Sequence, residues 1–210
     1  TRSAFVTGVQ TCALPIWFIA DSRLPFTING SQQQWITRNS ELAGWSNGVW
    51  NQVFAGTIGA PDDATFPSPP YTTLDTTPLS REKPYLFLDP QGKYRVRVPA
   101  ARTSTRGVSW ANGMTPGRTM PISDFFVATP ADSVHEINNQ LARGKHLLLT
   151  PGVYDIARGI EVKRPNTVVL GLGHATLTAV NGATPLDVAD APGVIIAGSV
   201  QIGRASCRER

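Results

Sequence analysis

Asp187 and Asp190 lie close together in Leu186-Asp187-Val188-Ala189-Asp190, and two carboxylates are what glycoside hydrolysis requires. One protonates the leaving oxygen while the other acts as base or nucleophile, about 5–10 Å away. Asp190 also precedes Ala191-Pro192-Gly193, where an aspartate is explained by turn formation. Asp187 fits an outward, solvated strand position, so the catalytic residues stay unassigned with these two as candidates. Trp17, Trp35, Trp45 and Trp50 concentrate in a short stretch. Flat apolar faces with a polar edge suit stacking on sugar rings, which makes Trp35, Trp45 and Trp50 substrate-binding candidates. Packing is the competing reading, because Trp35 and Trp50 fall inside strand-like runs.

Other chemistries find no support. His135, His146 and His174 lack metal-ligand spacing, so no metal is expected and ordinary surface roles are assigned to them. No nucleophile-elbow sequence accompanies them. Gly171-Leu172-Gly173 imitates the start of a dinucleotide fingerprint, but strand-prone Thr176-Leu177-Thr178-Ala179-Val180 follows where that motif needs a helix. No cofactor is expected.

The whole chain has 19 basic and 15 acidic residues, a net charge of +4. Residues 1–16 and 202–210 are read as non-native, because residues 6–16 and 202–210 resemble translated sequencing adapters. Setting aside Arg2, Arg204, Arg208, Arg210 and Glu209 leaves 15 basic against 14 acidic, or +1. Cys12 and Cys207 fall in the same flanks. That balance gives no reason to expect a nucleic-acid or membrane partner. No apolar stretch approaches the roughly 20 residues of a membrane span.

The elements that must position these residues are short. Residues 17–56 read as brief strands broken at Asn29-Gly30, Arg38-Asn39-Ser40 and Asn47-Gly48. Residues 57–128 read as a connector, Pro-rich from Thr57 to Glu82, where neither a helix nor a central strand is expected. Within it, 85–98 is a hairpin whose second strand alternates Tyr94, Val96 and Val98 with Arg95 and Arg97. Ala100–Pro121 reads as loop. One helix is expected after Thr129-Pro130, with Ser133 and Glu136 as a competing capping box. Its apolar face is Val134, Ile137 and Leu141, and Arg143-Gly144 ends it. Very short strands follow, separated by Gly, Pro or Asn. The triplets Leu147–Leu149, Val168–Leu170 and Val194–Ile196 read as equivalent positions of successive coils, so 129–201 forms a capping helix and the first coils of a solenoid.

The motif Leu147-Leu148-Leu149-Thr150-Pro151-Gly152-Val153-Tyr154, followed by Ile160-Glu161-Val162 and Val168-Val169-Leu170-Gly171-Leu172-Gly173, resembles the opening coils of the pectate-lyase-like, right-handed parallel β-helix superfamily. The longer span resembles actinobacterial secreted proteins with two β-helix regions, similar to laminarinase-type glycoside hydrolases. The resemblance implies a mainly all-β fold: a right-handed parallel β-helix fragment with an N-terminal amphipathic capping helix and a hairpin/loop connector. On this reading residues 17–56 end an upstream β-helix. It further implies a secreted bacterial location, a polysaccharide partner, and hydrolase or lyase activity in the parent protein. The remainder of its own chain is the other expected partner. A non-catalytic binding, adhesion or tail-fibre solenoid is the alternative. An isolated Trp17–Gln201 polypeptide is expected to turn over neither laminarin, pectin nor dextran.

Overall fold

Strands separated by tight corners, with no room for crossover helices, can pair in parallel only by coiling, and this chain does so in both halves. The computed structural model describes residues 16–29, 34–47, 52–62 and 67–202; Trp50, Asn51, Asp63 and both cysteines lie outside the described residues. In chain order the strands begin with β1 (Ile16–Ala20), β2 (Arg23–Asn29), β3 (Gln34–Arg38), β4 (Glu41–Asn47), β5 (Gln52–Ala55), β6 (Tyr71–Leu74) and β7 (Thr77–Ser80). Next come β8 (Tyr85–Leu88), β9 (Tyr94–Pro99), β10 (Arg102–Thr105), β11 (Gly117–Pro121) and β12 (Phe125–Ala128). The helix α1 (Val134–Ala142) precedes β13 (His146–Leu149), β14 (Gly152–Ile156), β15 (Ile160–Val162), β16 (Val168–Ala179), β17 (Leu186–Val188) and β18 (Ile195–Ile202). The chain divides into two compact units: residues through Glu82 with Pro99–Gly117, and Lys83–Val98 with residues from Arg118 onward.

In the first unit, β1, β3, β5 and β6 form one parallel ladder and β2 with β4 another. The corner between the ladders turns through the left-handed region at Asp21 (φ 49°), Asn39 (φ 48°) and Gly56 (φ 56°), one residue per coil. Asp and Asn tolerate that conformation. At the third coil only glycine fits, because a Cβ on Gly56 would sit 2.3 Å from the Thr105 carbonyl oxygen. Inside the coils, Trp45 meets buried Phe54 and Tyr71 edge-on at 5.1 and 5.3 Å between ring centres.

The connector reading fails here. Tyr71–Leu74 adds a rung to the parallel ladder, and Thr77–Ser80 pairs antiparallel with β10 inside the stretch read as loop. Proline lacks a donor but keeps its acceptor: the Pro70 carbonyl receives the Gln52 N–H at 3.0 Å. The β7–β10 register passes over Pro78 and Ser104, where φ is +50°.

In the second unit, β12, β13, β16 and β18 stack in parallel, so that Phe126, Leu147, Val169 and Ile196 lie over one another. The triplets are therefore equivalent in kind but not in phase: Leu147 pairs with Val169, and Val169 with Ile196. An unbroken aliphatic run carries no mark of its register. It is unbroken because both faces are covered. Leu147, Leu149 and Val169 point inward with Tyr154, Ile156, Ile160, Val162 and Leu177. Leu148, Val168 and Leu170 point the other way, onto Val96, Val98, Met120 and Phe125. The hairpin is thus the outer cover of the ladder, with β11 as its third strand.

The helix closes the interior with Ile137 and Leu141. Ser133 caps it by accepting the Glu136 N–H at 3.1 Å; Thr129 instead donates its N–H and hydroxyl to Asp132 in the turn before. Asn138 donates to the Gly159 carbonyl (3.1 Å) and accepts the Glu161 N–H (2.8 Å), satisfying the outer strand edge of the first coil. The Pro-Gly-x-Tyr motif has a mechanical reading. The Tyr154 hydroxyl lies 2.8 Å from the Ala128 carbonyl and 2.9 Å from that of Thr150, tying two successive coils together. A Cβ on Gly152 would meet Pro130 at 2.5 Å, so the corner admits only glycine.

Leu148 is 2 % exposed and Val153 is 60 % exposed. Leu148→Ala is expected to lower unfolding stability by about 2–5 kcal/mol in denaturant titration. Val153→Ala, on the solvated side, is expected to stay within about 0.5 kcal/mol of the parent.

Candidate functional site

The polar chemistry of the first unit gathers along the corner column of Asp21, Asn39 and Gly56. Residues 105–110 run up this column as a strap. Thr105 faces Gly56, and the Gly107 N–H donates to the Gly56 carbonyl at 2.8 Å. Val108 donates its N–H to the Glu41 carboxylate. Ser109 donates its N–H (2.5 Å) and hydroxyl (2.8 Å) to the two oxygens of Asp21. The Trp110 indole N–H donates to the Asp21 carbonyl at 2.9 Å. Arg23, ion-paired with Glu41 at 2.5 Å, places its guanidinium 5.1 Å from the centre of the Trp110 ring.

Behind the column lies a buried polar group. Arg38 and Glu82 form a two-pronged ion pair at 2.8 and 2.9 Å. The Asn39 carboxamide is fully buried beside it. With its oxygen toward Ser80 and Arg38 and its nitrogen toward Thr77 (2.8 Å), both ends are satisfied. Beyond Gly56 an open depression of about 570 Å³ is lined by Thr57, Asp62, Thr73 and the ion pair of Asp75 with Arg106. Carboxylates, a guanidinium and hydroxyls are the donor and acceptor set that sugar hydroxyls use.

The predicted site residues are not brought together. Asp187 is exposed on β17, in register with Glu161 on β15; Glu161 is ion-paired with Arg158 (3.3 Å) and with Lys163. Those cations hold the Glu161 carboxyl below its ordinary range. Asp190 is exposed in the bend beyond. Neither aspartate lines a described depression. Trp45 is engaged with Phe54 and Tyr71, and Trp35 stands in register with Gln52 on the next rung, so both serve the coil interior. Trp50 lies outside the described residues. Among the described residues, no group of three His, Cys, Asp or Glu is arranged to hold a metal.

Two residues escaped the sequence reading. His146 is not a surface group. Its Nδ1 accepts the Val168 N–H at 3.0 Å, its ring lies against Phe125, and burial, aided by Arg118, keeps its pKa below the usual value. Trp110 lies in a segment read as loop, where no strand pattern drew attention to it. Its signal was composition: a tryptophan between Ser109 and Asn112-Gly113 has no strand to pack in.

Burial raises the Asp21 carboxyl above its ordinary pKa, although both Ser109 bonds oppose this. A carboxyl that holds its proton more tightly folded than unfolded favours folding most at low pH. That contribution is lost as pH rises from about 4 through the folded-state value. Asp21→Asn keeps an acceptor for the Ser109 N–H and removes the charge. Relative to the parent, its stability is expected to improve progressively as pH rises from about 3 to about 7. Urea unfolding across that range is the measurement, and a pH-independent difference would contradict it.

Residues 125–209 match the LAM55 pectate lyase-like domain. An exo-β-1,3-glucanase of Streptomyces sp. SirexAA-E is 52% identical over 182 residues, which cover 86% of this chain and 30% of the glucanase. The solved structure of sacteLam55A from the same organism superimposes with a TM-score of 0.82 at 51% identity, covering 88% of this chain and 33% of that one. A variant of that enzyme in complex with glucose gives a TM-score of 0.79 at 50% identity. The chain thus spans about a third of these relatives. With parallel coils, a plugging helix and the matched motif all in place, the fold is a parallel β-helix, and residues 125–209 are similar to the LAM55 pectate lyase-like domain.

Proposed function

We propose that this chain is part of a secreted bacterial glycoside hydrolase that cleaves β-1,3-glucan, and that its coils form the scaffold and part of the glucan-binding surface. The observation that carries this reading is the 52% identity over 182 residues to an exo-β-1,3-glucanase. That identity, with a TM-score of 0.82 to the solved relative, supports one scaffold being able to replace the other. Hydrolysis is favoured over lyase chemistry because the relative is a glucanase. Asp187 and Asp190 are exposed and line neither described depression, which supports reacting carboxylates elsewhere in the parent protein. The 210-residue chain alone is inactive on this reading.

The test is a chimera in which this chain replaces the matching segment of the Streptomyces glucanase. It is expected to release glucose from laminarin, while the chain alone releases none. A chimera that folds with the parent's melting temperature yet leaves laminarin intact, or that yields unsaturated products, overturns the proposal.

A further inference from the structure

Whereas Trp45 packs against Phe54 and Tyr71 inside the coils, Trp110 is held at the surface by the fold. It is 39 % exposed, and three contacts fix it. Its indole N–H is taken by the Asp21 carbonyl at 2.9 Å, so the ring cannot rotate to seek another acceptor. Its own backbone is anchored through Ser109, which donates twice to the Asp21 carboxylate and lies 2.8 Å from the Thr115 hydroxyl. One ring face is closed by the Arg23 guanidinium, itself held by Glu41. A ring that merely sealed the strap would bury more of its surface. This one is oriented by polar contacts at its edge and back, which costs a ligand little ordering entropy on binding.

We infer that Trp110 is a stacking platform for a glucose unit of a β-linked glucan. The sugar lies against the ring face that Arg23 leaves open. The exposed part of the Arg23 side chain and its partner Glu41 stand beside it as hydrogen-bond donor and acceptor for ring hydroxyls. The choice of sugar rests on the glucanase reading above. The site itself rests on the geometry of Asp21, Arg23 and Trp110. The sequence offered Trp35, Trp45 and Trp50 for such a role; the contacts at Trp110 favour the fifth tryptophan instead.

Calorimetric titration of the full chain with laminarin is the test, alongside Trp110→Ala, Trp110→Phe and, as a control, Phe26→Ala. Phe26 is 60 % exposed on the same unit but has no polar contact fixing it. Trp110→Ala is expected to weaken binding by about tenfold or more, Trp110→Phe by less, and Phe26→Ala by under about twofold. In the parent chain, the Trp110 indole N–H resonance is expected to shift on adding laminarin, which reads the site even where Trp110→Ala fails to fold. Equal affinity of a folded Trp110→Ala variant, or an indole resonance that does not move, overturns the platform and leaves the glucanase reading standing. Absence of laminarin binding by the parent chain, in company with an active chimera, does the same. An inactive, folded chimera removes the glucanase reading, and dextran binding equal to laminarin binding then removes the choice of β-glucan.

Discussion

In a parallel ladder every side chain lies directly over its counterpart in the coil before, and each position must tolerate a near-copy of itself about 4.8 Å away. Aliphatic residues satisfy this easily, as Leu148 over Leu170 does. Carboxylates do not. Glu161 beside Asp187 is a like-charge neighbour pair, and Arg158 and Lys163 are placed to neutralise it. The same constraint governs the corners. Asp21, Asn39 and Gly56 must all take the same left-handed turn, and whatever crosses the column must meet all three.

That demand explains the polar character of the first unit. A left-handed corner leaves side chains and carbonyls pointing away from the ladders, where they need partners once covered. The strap and β7 supply them, which places a half-buried carboxylate, a buried carboxamide and a buried ion pair within one small region. The second unit meets the problem differently. Its corners use Pro-Gly and a tyrosine hydroxyl, its outer face is covered by apolar residues of a hairpin, and its first strand edge is satisfied by a helix side chain.

Much of this was legible in the sequence. The helix, the hairpin and the presence of stacked coils followed from local pattern; the cap did not, because Thr129-Pro130 and Ser133 with Glu136 are both capping patterns and the structure uses the second. The phase of the coils did not, because Leu147-Leu148-Leu149 is apolar at every position and hides which residue points inward. In the first unit coils were expected from the resemblance alone, and the repeat that marks them went unread. Asp21-Ser22-Arg23-Leu24 and Asn39-Ser40-Glu41-Leu42 are equivalent corners, but what repeats is a backbone conformation and a small hydroxyl. Arg23 and Glu41 differ in sign because they pair with each other. The strand at Tyr71–Leu74 was hidden behind three prolines, whose missing donors matter less on an edge. Of the clustered tryptophans, Trp45 packs within the coils, whereas Trp110, an isolated ring on a loop, is held there by specific contacts.

The coils of the second unit differ in one place more than any other. The turn joining the second strand of a coil to the third grows from Ala157–Gly159 to Val180–Pro185, while the ladders on either side keep their pairing. Length can therefore change along this edge without disturbing a single rung. A chain of this design can diversify by accretion, with new surface loops arising there one coil at a time while the hydrogen-bonded cylinder beneath stays the same.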